Sequence, residues 1–255
     1  MDLRTITPLI LTYNEAANIR ATLEGINWAS QILLIDSFST DATLAIAAEF
    51  PQVRIVQRPF DHFANQCNFG LTLVETTWVL SMDADYKCGP AFAEELARLD
   101  SSLAGYRAPF LYGIYGQPLR ATLYPPRLVL YQANCAEYFR DGHAHRVLVD
   151  GEIGAIKAPI LHDDWKPLSV WLESQLKYAG SEADKLCTTQ KIELGWKDRI
   201  RRRILFAPPL TLAYCLLVKG LILDGWRGIF YSLQRTFAEL ALSLVLLDRK
   251  LRKSS

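Results

Sequence analysis

At 255 residues with half its side chains apolar, the chain is long enough for one large α/β domain and an appendage, with no repeat period or low-complexity segment. Its net charge of +1 conceals an asymmetry: residues 1–195 carry 16 Lys and Arg against 23 Asp and Glu, whereas residues 196–255 carry 12 against 4. Five scattered cysteines without a C-x-x-C pair argue against a disulfide framework or zinc knuckle and for free thiols in a reducing cytoplasm. The start "MDLRTITPLILTYNE" has no small-residue cleavage site after its apolar run, so no secretory signal is expected.

The first hundred residues alternate. "TPLILTY" is strand-like and "EAANIRATLEGI" has helical spacing; "QILLID" is a strand followed by the helix "DATLAIAAEF". "VRIVQ" and "HFANQCNFGLTLV" repeat the pair, and "TWVLSMD" leads into "GPAFAEELARL", a helix with proline in its first turn. Continuous apolar strands separated by helices predict a parallel sheet covered on both faces. From 105 to 162 short strands and turns take over, read as an antiparallel extension of the sheet, with "VDGE" as a hairpin signal. From Pro167 onward everything is helical, broken near Gly195, at Pro208-Pro209 and around Asp224-Gly225. The divisions expected are residues 1–104, 105–166 and 167–255.

In an open parallel sheet, ligands bind beyond the carboxyl ends of the strands. The polar residues there are Thr12, Asn14 and Glu15 after the first strand, Asp36 and Ser37 after the second, and Asp83 with Asp85 after the fourth. A carboxylate such as Asp36 can accept from a base N–H or a ribose hydroxyl; Asn14, Ser39 and Asp41 also read as helix caps. Asp83 and Asp85 repel each other unless something holds them. Two carboxylates on one turn suit Mg²⁺ or Mn²⁺, whose remaining ligands come from substrate phosphates. Neither G-x-G-x-x-G after a strand nor a G-x-x-x-x-G-K-[ST] loop is present.

"LTYNEAANI", "LLIDSFSTDAT", "FANQCNFGL" and "WVLSMDAD" together resemble the nucleotide-binding half of a family 2 glycosyltransferase with the GT-A fold, an α/β Rossmann-like architecture. Order and spacing are most similar to the lipopolysaccharide core glucosyltransferase-like branch. The resemblance is specific over residues 5–90 and looser over 105–190. It implies that Thr12, Asn14, Glu15 and Asp36 line the nucleoside, that Gln66 and Asn68 lie near the nucleotide, and that Asp83 and Asp85 bind the metal, with Asp83 also at the nucleotide sugar. It also implies that a late histidine, His162, completes the metal shell.

An inverting transfer further needs a carboxylate base. Members of the family carry Glu after His in a "VHE"-like segment, where this chain has Ala144-His145-Arg146. Asp141 is the first candidate, although it also reads as a turn aspartate before Gly142; Asp163 and Asp164 stand behind it. His143 and His145 alternate on a strand and are expected to line the site. Arg120 and Arg127 flank "ATLYPP" and are candidates for neutralising a diphosphate. Core packing is the expectation for Tyr112, Tyr115 and Trp165, with stacking on sugars as the alternative.

The tail places Arg199 and Arg201 to Arg203 before an uncharged run from Ile204 to Val218, too short for a straightforward bilayer span. An interfacial helical segment on an anionic membrane is expected rather than a nucleic-acid contact, with a helical bundle or homo-oligomer interface as the alternative. Together these readings give a metal-dependent, inverting glycosyltransferase on the inner face of the plasma membrane. It would move a hexose from a UDP-sugar, UDP-glucose first, to a lipid-linked saccharide acceptor. The alternatives are a polyprenyl-phosphate glycosyltransferase and a non-catalytic sugar-nucleotide-binding scaffold.

Overall fold

The structure is a computed structural model that describes residues 1–141, 144–189 and 195–252. Strands β1 (Ile6–Thr12) and β2 (Ile32–Asp36) are almost wholly buried, as their unbroken apolar runs require, while β3 (Val53–Gln57) is half-exposed at the sheet edge. They alternate with helices α1 (Ile19–Gly25), α2 (Thr43–Ala47) and α3 (Phe63–Leu71). Then come β4 (Trp78–Asp83), a short β5 (Tyr86–Cys88) and α4 (Pro90–Arg98), which opens on its proline as the sequence predicts.

The middle segment contains β6 (Gly105–Ala108), β7 (Phe110–Ile114), β8 (Gln117–Pro118), β9 (Arg127–Gln132), β10 (Ala136–Asp141), β11 (Ala144–Val149), β12 (Ile153–Ala155) and β13 (Ile160–His162). The main sheet runs β12-β6-β9-β4-β1-β2-β3. β1 to β4 are parallel where they pair, and β9 lies antiparallel to both β4 and β6. The expected antiparallel extension is only part of what forms. β12 pairs parallel with β6, and a second sheet, β5-β13-β7-β8, sets β13 antiparallel to β5 and parallel to β7. "VDGE" is not a hairpin: β11 pairs back onto β10, and β12 goes to β6. The turn chemistry was local, whereas the partners were chosen by sheet edges far away in sequence.

The chain divides into two compact units, residues 1–118 with 124–166, and residues 119–123 with 167–255. The first buries Ile10, Leu34, Leu80, Phe92 and Leu130 in a core between sheet and helices. The second is helical: α5 (Leu168–Thr188), α6 (Trp196–Arg201), α7 (Ala207–Ala213) and α8 (Gly225–Arg252). Pro208 and Pro209 open α7 instead of breaking it, since a first turn has no use for their missing N–H groups. Ala179, Ala183, Leu186, Leu242 and Leu246 bury the α5–α8 contact. The described stretch Leu221–Arg252 is long and apolar enough to cross a membrane by length and composition, with 39% of its most apolar window buried.

Arg201 departs from the expected headgroup-facing cluster. Its guanidinium meets Glu239 at 2.6 Å, Asp198 at 3.3 Å and Glu182 at 3.6 Å, so it holds α6 to its helical neighbours. Arg202 and Arg203 are exposed. All five cysteines are free thiols.

Candidate active site

The D-x-D stretch continues a two-residue alternation from β4 into β5. Met82, Ala84, Tyr86 and Cys88 are buried in the core, whereas Asp83, Asp85 and Lys87 stay half-buried, with Ala84 and Asp85 forming the turn between the strands. β13 then aligns His162 with Tyr86, one residue past Asp85. His162 Nε2 lies 2.9 Å from Asp85 Oδ2, and the Asp163 N–H donates to the Asp85 carbonyl at 3.3 Å. Rings of Tyr112, Tyr124 and Tyr86 surround the imidazole, with centroids at 4.9, 5.2 and 5.3 Å. Burial opposes the imidazolium, but the Asp85 carboxylate and its hydrogen bond, with Asp83 and Asp164 behind them, raise His162 above its ordinary pKa.

This cluster is incompletely satisfied. Asp85 Oδ1 and His162 Nδ1 are buried and meet no hydrogen-bond partner among the described residues, whereas buried polar atoms nearly always have one. An orphaned carboxylate oxygen beside an imidazole, with a second aspartate two residues away whose charge also acts on that imidazole, is a donor set that fits a hard divalent cation. Among the described residues no three Asp, Glu, His or Cys side chains form a ready-made metal shell. A cation shared with substrate phosphates needs none. Arg127 is brought to this cluster: its Nη1 donates to Tyr86 Oη at 2.8 Å, and Tyr86, Asp83 and Tyr124 raise its pKa against the cost of burial.

The ends of β1 and β2 differ. Asp36 is fully buried, and both its oxygens are used: Oδ1 accepts from Thr12 Oγ1 at 3.2 Å and Ser39 Oγ at 2.5 Å, Oδ2 from Ser39 N at 2.9 Å and Gln57 Nε2 at 3.1 Å. Four donors saturate a carboxylate, so Asp36 and Thr12 brace the loop after β2. Asn14, in the left-handed region at φ 55°, accepts from Thr40 N on its side-chain oxygen and donates its own backbone N–H to Ser39 Oγ. Glu15 pairs with Lys166 at 2.6 Å and accepts from Asn18 at 2.9 Å. Burial pushes the Glu15 carboxyl up, to about 7, with Lys166 pulling it back and Asp85 adding to the push; burial likewise opposes the Lys166 ammonium, which Glu15 nonetheless raises.

Gln66 and Asn68, expected near the nucleotide, have protein partners. Gln66 bridges Ser37, Arg58 Nη1 and the Arg58 carbonyl. Asn68 bonds both the N–H and the C=O of Tyr138 and so joins α3 to β10. Arg120 belongs to the second unit, where Asp224 and the Leu223 carbonyl engage its guanidinium.

The candidate bases also separate. Asp163 is fully buried, and its Oδ2 accepts from Trp165 Nε1 at 2.7 Å and from Lys87 Nζ and Gly116 N at 3.0 Å. Gly113 lets β7 pass against it, since a Cβ there would come within 2.7 Å of Asp163 Cβ. Asp164 is half-buried: Oδ1 accepts from Asn18 and Lys166 N, and among the described residues nothing donates to Oδ2. Asp141 closes β10 opposite Ala144, and His145 stands opposite Arg140, by backbone register; His143 lies outside the described residues.

Asn18, Lys166 and Lys87 escaped the sequence reading. Asn18 holds Glu15, Asp164 and the Trp165 N–H together, but nothing local in sequence marks it. Core packing fails for two aromatics: Tyr115 and Trp165 are exposed.

The profile described as Glycosyl transferase family 2 matches residues 9–104. The lipopolysaccharide core biosynthesis glycosyltransferase LpsC of Rhizobium meliloti is 26% identical over 237 residues, 88% of this chain and 84% of that protein. An uncharacterized glycosyltransferase of Rickettsia bellii is 31% identical over 100 residues, 39% of this chain and 34% of its own length. Among solved structures, the mannosyltransferase PcManGT from Pyrobaculum calidifontis, in complex with GDP-Man and Mn²⁺, superposes with a TM-score of 0.53 at 15% identity, covering 96% of this chain and 86% of that one. S. aureus TarS 1–349, in complex with UDP-GlcNAc, gives 0.50 at 12% identity, covering 98% and 92%. These likenesses show a shared GT-A fold.

Proposed function

We propose that this chain is a family 2 glycosyltransferase that transfers a hexose from a UDP-sugar, UDP-glucose first, to a lipid-anchored saccharide such as a lipopolysaccharide core. The observation that carries the reading is the orphaned Asp85 Oδ1 beside His162, with Asp83 at the end of the strand before the same turn. Asp83, Asp85 and His162 would hold Mg²⁺ or Mn²⁺, which when bound supplies positive charge for the diphosphate leaving group. The Mn²⁺ in the PcManGT complex and the UDP-GlcNAc in the TarS complex support a cation and a uridine donor. Arg127, kept charged beside Asp83, adds to that positive charge.

Asp164 is the carboxylate we favour as base, because it is half-buried with its Oδ2 open, while Asp163 has no exposure and spends its Oδ2 on three donors. It would take the proton of the attacking acceptor hydroxyl. Thr12, Asn14, Glu15 and Asp36 would shape the nucleoside side through the loops they brace, and the exposed rings of Tyr13 and Phe38 at those strand ends offer faces for a base. The name of LpsC favours a saccharide acceptor over a polyprenyl phosphate.

The second unit would sit peripherally on the inner face of the plasma membrane. It exposes Leu205, Phe206, Leu217, Val218 and Leu223, with Arg202 and Arg203 exposed before them. A large apolar surface next to cations is what an anionic lipid interface accommodates.

The test is UDP release from a panel of UDP-sugars with Mn²⁺, with and without acceptor, in wild type and Asp85→Ala. The variant is expected to lose at least about 10³-fold in transfer and its Mn²⁺-dependent nucleotide binding. Near-normal Mn²⁺-dependent turnover by Asp85→Ala would sink the metal-site reading.

A further inference from the structure

The β7–β8 hairpin turns through Tyr115 and Gly116, at φ 49° and 78°. Two successive left-handed residues make the tight turn in which Asn-Gly or Gly-Gly ordinarily stands. A tyrosine in the first position is strained, and backbone strain of this kind concentrates where function needs a side chain aimed. Burial gives no reason for it here, because the Tyr115 ring is 58% exposed. Trp165, 47% exposed, lies edge-on to it at 6.0 Å and 88°.

A second observation comes from beneath the rings. The buried Asp163 Oδ2 takes the Trp165 indole N–H, the Gly116 N–H and the Lys87 ammonium. One oxygen thereby fixes the tryptophan, the hairpin tip and a lysine whose Nζ stands 5.4 Å from the Trp165 ring centroid. Asp163 is itself tied to the D-x-D turn through its N–H to the Asp85 carbonyl, and Lys87 follows that turn two residues after Asp85. Two solvent-facing aromatic rings are therefore held rigidly beside the transfer centre by a carboxylate with no exposure of its own.

We infer that Tyr115 and Trp165 form the acceptor-sugar subsite, on which a pyranose of the acceptor saccharide lays its C–H face. Aromatic rings match that apolar face, and Lys87 retains two ammonium hydrogens for sugar hydroxyls beyond the one given to Asp163. Asp163 is then a positioning residue and not the base. This inference rests on the glycosyltransfer reading of the neighbouring site.

The experiment titrates the deacylated core oligosaccharide of a Gram-negative lipopolysaccharide into wild type, Tyr115→Asn, Trp165→Ala and Asp163→Asn by calorimetry, without donor, and measures UDP-sugar KM separately. Asn tolerates the left-handed turn, so Tyr115→Asn removes the ring while keeping or raising the thermal midpoint. It should weaken oligosaccharide binding about threefold to tenfold with donor KM unchanged. Trp165→Ala should do at least as much, and Asp163→Asn should raise acceptor KM more than it lowers kcat. Unchanged oligosaccharide affinity in Tyr115→Asn, or no binding by wild type, overturns the subsite. Failure of wild type to turn over any UDP-sugar instead strikes the underlying reading, because the binding arm needs no donor.

Discussion

The carboxyl ends of β2 and β4 lie two strands apart in one sheet, and both carry aspartates, yet they end in opposite states. At β2, Asp36 is fully buried and saturated by Thr12, Ser39 and Gln57. At β4, Asp85 keeps one oxygen bonded to His162 and leaves the other buried without a partner among the described residues. A satisfied carboxylate stabilises the loop it sits in; an unsatisfied one stores an unmet demand that a ligand can fill. The candidate bases differ in exposure instead: Asp163 is fully buried, its Oδ2 taking three donors and its Oδ1 none among the described residues, whereas Asp164 is half-buried with its Oδ2 open.

The largest effect expected from this contrast is at the base. Asp164→Asn should lower kcat by about 10²-fold or more with donor KM preserved, while Asp163→Asn should act mainly through acceptor KM. Steady-state kinetics that reverse the two assignments would return Asp163 to the chemistry.

Next in size is stability. Asp36→Asn faces the Ser39 and Gln57 donors with an amide and should cost about 1–3 kcal/mol in urea unfolding, from unpaired buried groups. Asp85→Asn should cost less, because part of its carboxylate has no partner to lose. An Asp85→Asn protein less stable than Asp36→Asn would invert the comparison.

A smaller effect concerns pH. His162 is raised above 6.5 by Asp85, so the stabilisation from their pairing is complete below 6.5 and is lost as pH rises through the raised value. Metal-free protein should therefore show a falling thermal midpoint above pH 6.5. A cation needs the neutral imidazole, so Mn²⁺ with UDP should stabilise more as pH rises over the same range. Parallel pH profiles with and without Mn²⁺ would remove His162 from the metal set.

The smallest effect is at the tail. Arg202→Gln with Arg203→Gln should partly release the protein from anionic vesicles, since each cation contributes about 1 kcal/mol and the apolar residues remain. Arg201→Gln should instead destabilise the helical unit, because Arg201 is spent on Glu239. If wild type never pellets with vesicles and sediments as an oligomer, the exposed apolar residues belong to a subunit interface.

Much of this was legible in one dimension. The apolar runs of β1, β2 and β4 and the proline opening α4 are local signals, and the structure repeats them. The D-x-D pair was equally legible, because two carboxylates on one turn at the end of an apolar strand are a local signal. Composition alone set the apolar, basic tail apart. What the sequence did not contain was who meets whom. His162 lies 77 residues from Asp85 and Lys166 lies 151 from Glu15, and only the β5–β13 register and the return of the chain past Asn18 join them. Whether a given aspartate is saturated, as Asp36 is, or keeps an oxygen without a donor among the described residues, as Asp85, Asp163 and Asp164 do, depends on donors supplied by other parts of the chain. Exposure of Tyr115 and Trp165 was decided in the same way, by a second sheet whose strands come from both sides of the chain's midpoint. Propensity and pattern are properties of neighbours in sequence, while partnership of polar groups is a property of neighbours in space.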